Sequence, residues 1–259
     1  MNILIIVDVE GAVGIKTEKE VDDGRAVKAA IKNVECVIEG LKKSREVKKI
    51  YVWDFHGDED NFKNGFGKNT KILSHPSFNA LLKLRTSKVF LVGFHAMAGI
   101  KSDFCPHTYS TKEIKSFRIN GRRAGEATLF ALFFSEFNIP VVFISGSYYA
   151  AKELEDLGMK TEKVIVRKDN KVYDEKRMLE ELTKRAYKAL SVDATSSIIK
   201  YPAYKIEIEL KYDCSSYFKD TCFKIVSNTF LVAKSSKFLV IFRDFVNSIH
   251  SVWGENRGF

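Results

Sequence analysis

Short apolar runs alternate with helically spaced ones through the first three quarters of this chain, and the short runs are unbroken. Residues 2–9 (NILIIVDV), 49–53 (KIYVW), 88–94 (KVFLVGF) and 141–145 read as strands with no polar face. Between them, residues 25–44 carry Val27, Ala30, Ile31, Val34, Val37, Ile38 and Leu41 at helical spacing. Residues 125–137 predict a strongly apolar helix stopped by Asn138 and Pro140, and residues 174–190 a charged amphipathic one. Shorter helices are expected at 77–84 and 150–156, with short strands at 118–120 and 163–167. A strand that is apolar on both faces must be covered on both, which a mostly parallel sheet with helices on either side achieves. The expected fold class is therefore α/β: three layers, a mostly parallel sheet with helices on both faces.

From about Ser196 the pattern changes. Residues 204–212 (YKIEIELKY) alternate as a strand with one solvated face does, residues 237–242 read as a further strand, residues 242–252 as a closing helix, and 254–259 as a loose end. This divides the chain into an α/β domain at 1–195 and a small C-terminal α+β appendage at 196–259, suited to oligomerisation or to covering a site. The tail holds Phe218, Phe223, Phe230, Phe238, Phe242, Phe245 and Trp253. A unit of ~60 residues cannot bury so many rings alone, so they are expected against the main domain or a neighbouring subunit.

Composition excludes several classes. The chain has 259 residues, 45% of them hydrophobic, enough for a substantial core. Its charge of +9 comes from scattered lysines, without a glycine–aromatic RNA-binding signature or a Cys/His finger, so nucleic acid is not the expected partner. No apolar stretch approaches the ~20 residues of a membrane span, and residues 3–7 are too short for the core of a secretion signal. The cysteines, Cys36, Cys105, Cys214 and Cys222, form no CxxC pair and read as reduced thiols of a cytoplasmic protein. Residues 65–70 (GFGKNT) lack the spacing of a phosphate-binding loop and are expected on the surface.

Ligands of parallel α/β sheets sit beyond the carboxyl ends of the strands. The first strand ends in Asp8-Val9-Glu10-Gly11, the second in Asp54-Phe55-His56-Gly57 and the third in Gly93-Phe94-His95-Ala96. Residues two apart on a strand share a direction, so Asp8 and Glu10 project together. Five histidines occur, at 56, 75, 95, 107 and 250, and two of them fall at these strand ends. Carboxylate and imidazole converging on one edge make a ligand set suited to Zn²⁺ or a similar divalent ion. Individually, Asp8 can also be a turn cap, His56 and His95 structural histidines, and Asp54 either a partner of a ligating His or a solvent contact. His107 lies in a loop (CPHT), as a surface residue or a functional one. Glu126 opens the apolar helix, as a dipole partner or as a carboxylate facing the strand ends.

The DVEG, DFHG, GFHA, CPHT and AGEA segments, in that order over residues 3–190, resemble the M55 family of zinc D-aminopeptidases. The resemblance implies Asp8, Glu10, His56, His95 and Glu126 as metal ligands, two Zn²⁺ per chain sharing Asp8, and His107 as the active-site histidine. It also implies substrates containing D-amino acids and a homodecamer enclosing a chamber. Three carboxylates against two Zn²⁺ leave a charge of +1, room for one further anion.

The expected activity is hydrolysis of short peptides or amino-acid amides by metal-activated water, with His107 stabilising the oxyanion or passing a proton to the leaving amine. Asp103 and Glu113 are candidates for holding the substrate amine. Arg122 and Arg123 are candidates for its carboxylate, or simply exposed turn residues. The alternatives are a metal-dependent amidase or deacylase on the same scaffold and a basic nucleic-acid-binding protein.

Overall fold

The computed structural model describes residues 1–56, 62 and 65–254 of the chain, so the loose end expected at 254–259 lies, past Gly254, outside the described residues. In chain order the elements are β1 (Asn2–Val7), α1 (Glu18–Asp22), α2 (Arg25–Lys42), β2 (Lys49–Asp54), β3 (Thr70–Leu73), α3 (Phe78–Leu82), β4 (Lys88–Phe94), β5 (Ile114–Ile119) and β6 (Arg122–Arg123). There follow α4 (Glu126–Glu136), β7 (Val141–Ser147), α5 (Tyr148–Asp156), β8 (Glu162–Lys168), β9 (Lys171–Val172), α6 (Glu175–Ala189), β10 (Tyr204–Leu210), β11 (Phe223–Ser227), β12 (Phe230–Ser235) and α7 (Phe238–Val252). None of the described helices is long and apolar enough to cross a membrane.

The large sheet runs β3-β2-β1-β4-β7-β8-β9, parallel from β3 to β8, with β9 turned back antiparallel on β8. The α/β expectation therefore holds. The chain lays β2 and β3 on one side of β1 and then crosses over to lay β4, β7 and β8 on the other. Strand order reverses between β1 and β4, and the sheet opens a crevice at their carboxyl ends.

Alternation along β1 divides the core. Ile3, Ile5 and Val7 join the apolar faces of α2 and α6, while Leu4 and Ile6 face the side of α4 and α5. Helices α2 and α6 touch at backbone distance. A Cβ on Gly40 would stand 2.2 Å from the Thr183 carbonyl oxygen, so glycine permits that crossing.

On the other face, α4 is buried nearly all round, the state expected of a helix without a polar stripe. Phe130 of α4 meets Phe94 of β4, Phe133 of α4 meets Phe242 of α7, and Phe245 of α7 meets Phe117 of β5. The layers therefore continue outward from the large sheet through α4 and α7 to a second sheet, ordered β11-β12-β10-β5-β6 and antiparallel throughout. The segment after 195 shares this sheet with β5 and β6.

One expectation changes. Residues 237–242 are not a strand but the start of α7. Buried Phe238, Ile241, Phe242, Phe245, Val246 and Ile249 recur every three or four residues, a period that a window of six apolar residues cannot reveal. The packing of the tail aromatics follows the first of its two expected alternatives: Phe218, Phe223, Phe238, Phe242 and Phe245 are buried in a core shared with the main domain's Phe117, Phe130 and Phe133.

Candidate metal centre

Local backbone geometry brings the strand ends together. Beyond β1 the chain stays tied to β4, with the Asp8 amide donating to the Val92 carbonyl at 2.8 Å and the Gly11 amide to the Gly93 carbonyl at 2.7 Å. Gly93 has φ of +80°, and a Cβ there would stand 2.0 Å from the Asp8 carbonyl oxygen. No other residue admits this approach at low cost, and it sets Asp8 beside His95. His56 follows β2, its amide held by Asp54 Oδ1 at 3.2 Å, so Asp54 shapes the turn that presents His56.

Glu126 is the first residue of α4 and accepts the Tyr109 amide at 2.6 Å. The start of α4 is fixed from α5, where buried Glu153 accepts the Gly125 amide and the Thr128 hydroxyl, each at 2.7 Å. The His107 loop is pinned by its own amide on the Ala96 carbonyl at 3.0 Å and by the Thr108 hydroxyl on the Ala124 carbonyl at 3.0 Å.

These anchors converge five side chains on Asp8. Its Oδ1 lies 3.4 Å from His56 Nδ1, which is 3.0 Å from Glu10 Oε2. Its Oδ2 lies 3.3 Å from His95 Nε2, which is 3.3 Å from Glu126 Oε2. His107 Nε2 stands further off, 3.8 Å from Glu126 Oε1 and 4.0 Å from Glu10 Oε1. All three acids are buried, yet among the described residues Asp8 Oδ2, Glu10 Oε2 and His95 Nε2 find no hydrogen bond of good geometry. Buried polar atoms left this way ask for a further partner.

A divalent cation fits. Donors about 2.0–2.1 Å from a tetrahedral Zn²⁺ stand about 3.3 Å apart, the spacing found between the imidazole and carboxylate atoms here. Each histidine on the β4 side also shows its tautomer. The Nδ1 of His95 faces the Ala96 carbonyl at 2.9 Å and that of His107 the Cys105 carbonyl at 3.0 Å. A carbonyl only accepts, so Nδ1 carries the proton in both rings and Nε2 is turned into the pocket, the orientation a second-shell carbonyl gives a ligating histidine.

Electrostatics agree. Burial and then the charge of Glu10 raise the Asp8 carboxyl well above the usual range. Burial would raise Glu10 too, but hydrogen bonds with Asp8 and His56 hold it well below. Burial opposes the charge on His56 and His95, yet their carboxylate neighbours outweigh it and push them up to about 11 and about 10. The two imidazoles thus carry the positive charge that balances the acids, and a divalent cation can take over that role. Burial and the neighbouring His95 instead lower His107, leaving it neutral.

The structure thus brings together all six side chains expected at the site and settles several lesser candidates. Asp103 is turned to Arg167 and Ser147, and Glu113 to Ser110, Tyr212 and Trp253, so both acids are engaged internally. Arg122 and Arg123 are exposed on β6, bonded to the Asp156 and Gly99 carbonyls, at a cavity of about 1100 Å³ that Glu153 also lines. Cys105 Sγ comes within reach of Glu10 and His107, and burial and the charge of Glu10 push its thiol up to about 12.

Sequence reasoning missed Arg167 and Glu153. Both lie far along the chain from the site, in segments whose local pattern reads as ordinary strand and helix.

Comparison with known proteins follows this geometry. The family model of peptidase M55, described as D-aminopeptidase, matches residues 1–226. Among solved structures, the chain is similar to the Zn-dependent D-aminopeptidase DppA from Bacillus subtilis, described as a self-compartmentalizing protease. The TM-score is 0.80 at 18% identity, covering 99% of each chain. No curated protein matches the sequence.

Proposed function

This chain belongs to the peptidase M55 family of D-aminopeptidases, and on that premise we propose that it is a zinc aminopeptidase that hydrolyses short peptides or amino-acid amides carrying a D-residue at the amino end. The carrying observation is the division of the Asp8 carboxylate, one oxygen with His56 and Glu10 and the other with His95 and Glu126. On this reading Asp8 would serve two zinc positions, with Glu10 and His56 holding one ion and His95 and Glu126 the other. Zinc held there supplies Lewis-acid polarisation of the scissile carbonyl and lowers the pKa of a water molecule.

The chain's own residues do the rest. Asp8, Glu10 and Glu126 are buried, so their charges act with little screening by solvent. His107, neutral and with Nε2 turned inward, takes a proton from the attacking water's side and returns it to the leaving amine. It stands 3.8–4.0 Å from Glu126 and Glu10, farther than the other donors stand from one another, which favours the proton-transfer role over that of a ligand.

We further propose a cytoplasmic homo-oligomer, a decamer on the family's pattern, with residues 196–259 as a region that supports assembly or covers the site. The described neighbour is self-compartmentalizing, and the four cysteines here are unpaired, as in a reducing compartment.

The test is elemental analysis of the purified protein, then turnover of matched D- and L-aminoacyl amides with and without added zinc. Two zinc ions per chain and a preference for D-substrates are expected. A metal-replete protein acting only on L-aminoacyl or acyl substrates would overturn the aminopeptidase assignment. A monomer by light scattering would overturn the assembly.

A further inference from the structure

The loop bearing His107 connects β4 to β5 without a helix or strand of its own. Beyond the His107 amide on the Ala96 carbonyl and a few local turns, its position comes from side chains. Arg167, on β8, reaches it from across the sheet with a fully buried guanidinium. Nε donates to Asp103 Oδ1 at 2.7 Å, Nη1 to the Glu10 carbonyl at 2.5 Å, and the guanidinium lies over the Phe104 ring at 3.7 Å. Asp103 also accepts the Phe104 amide at 3.0 Å and the hydroxyl of Ser147, where β7 ends. The Arg167–Asp103 pair thus joins the ends of β1, β7 and β8 to the loop.

Stability alone does not account for such a pair. Replacing a buried ion pair with apolar groups of similar volume is often neutral or stabilising. Here the third guanidinium nitrogen, Nη2, also has no hydrogen-bond partner among the described residues, a further cost. A rigid planar fork offers something else, two acceptors held at one fixed spacing. The acceptors belong to different halves of the site. The Glu10 carbonyl shares its residue with the carboxylate that meets His56. Asp103 lies four residues before His107, and the intervening Cys105, at φ +51°, gives its carbonyl to His107 Nδ1.

We propose that Arg167 is a positioning residue that fixes the end of β1 and the His107 loop relative to each other, so that the carboxylate of Glu10 and the imidazole of His107 are set by one group. The Glu10 arm rests on the metal-centre reading given above; the loop arm does not.

Two conservative variants separate the arms. Arg167→Lys keeps the charge and a donor for Asp103 but has no second arm for the Glu10 carbonyl. Asp103→Asn keeps the shape and an acceptor but loses the ionic grip on the loop. Zinc affinity, measured against a chromophoric chelator, is expected to fall about tenfold or more in Arg167→Lys. Hydrogen exchange on the metal-free protein is expected to speed up about tenfold across residues 103–110 in Asp103→Asn, with the amides of β1 and β4 unchanged. In the same variant kcat on a D-aminoacyl amide falls while KM holds.

Wild-type affinity and wild-type exchange in both variants would overturn the proposal. So would uniform loosening of the whole chain, since that is the behaviour of a merely structural pair. If either single variant fails to fold, the double variant Arg167→Met with Asp103→Leu removes both charges, and it must show the zinc and exchange losses together for the proposal to stand. Wild-type protein that takes up no zinc would overturn the metal-centre reading and with it the Glu10 arm, leaving the exchange measurement to decide the loop arm.

Discussion

His95 and His107 lie face to face, ring centroids 3.8 Å apart and planes within 11° of parallel. Two imidazolium rings do not stack this closely without strong repulsion, so at most one carries a charge. The carboxylates single out His95, with Asp8 and Glu126 each 3.3 Å from its Nε2. His107 is then the neutral ring, and its Nε2 lone pair looks into the pocket, where the proposed function gives it a proton rather than an ion to hold.

His107→Ala is therefore expected to keep its zinc and to lose turnover by about 10²–10³, the usual contribution of a positioned acid–base group. Metal content and kcat measured on one preparation decide it. Retained turnover removes the catalytic role, and lost zinc makes His107 a ligand.

Asp8 meets His56 through one oxygen and His95 through the other, so on the proposed reading it serves both zinc positions while each histidine serves one. Asp8→Ala should bind close to no zinc. His56→Ala and His95→Ala should each keep about one ion per chain, with affinity at the surviving position weakened about tenfold through the shared carboxylate. Equal stoichiometry in the three variants would contradict the bridge.

Glu153 gives a pH prediction. Burial pushes its carboxyl up to about 7, against the partly opposing hydrogen bonds from Thr128 and Gly125. Because the folded value lies above the unfolded one, near 4.5, the contribution to stability is present in full below pH 4.5 and is lost as pH rises through 7. The difference amounts to roughly 3 kcal/mol. Glu153→Gln keeps an acceptor for both donors and does not ionise, so it should gain on the wild type steadily between pH 4.5 and 7.5. Denaturant unfolding at several pH values tests this, and a pH-independent difference between the two proteins would contradict it.

Gly93→Ala places a Cβ 2.0 Å from the Asp8 carbonyl oxygen at a φ of +80°. The backbone of β1 or β4 must shift. A loss of about 2–4 kcal/mol is expected, seen as a fall of roughly 6–12 °C in Tm, together with weaker zinc binding. Gly121→Ala also sits at positive φ but meets nothing within 4 Å, so it isolates the backbone strain without the collision.

The large sheet was readable because β1, β4 and β7 are apolar on both faces, a pattern that few local structures other than covered parallel strands produce. The residues of the site were readable for a related reason. Strand ends are marked by where apolar runs stop, and Asp8, Glu10, His56 and His95 stand at those stops. The pairing of β10 with β5 was not readable, because it joins segments almost ninety positions apart, a register such as Ile206 with Ile119, through backbone bonds that leave no local mark. Arg167 was hidden for a similar reason. Within EKVIVRK it looks like an exposed strand-end cation, and only the close-packed end of the sheet turns it inward.

The reversal between β1 and β4 has a consequence for how this architecture can diversify. The floor that the proposed function assigns to the ions is built from strand tips and the first turn of a buried helix, parts whose displacement would disturb the whole core. The connection bearing His107, by contrast, is irregular and tethered at a few points, so its outer portions can be rewritten with little penalty. A lineage built on this plan can trade one amide for another by reshaping the rim while the reactive floor stays as it is.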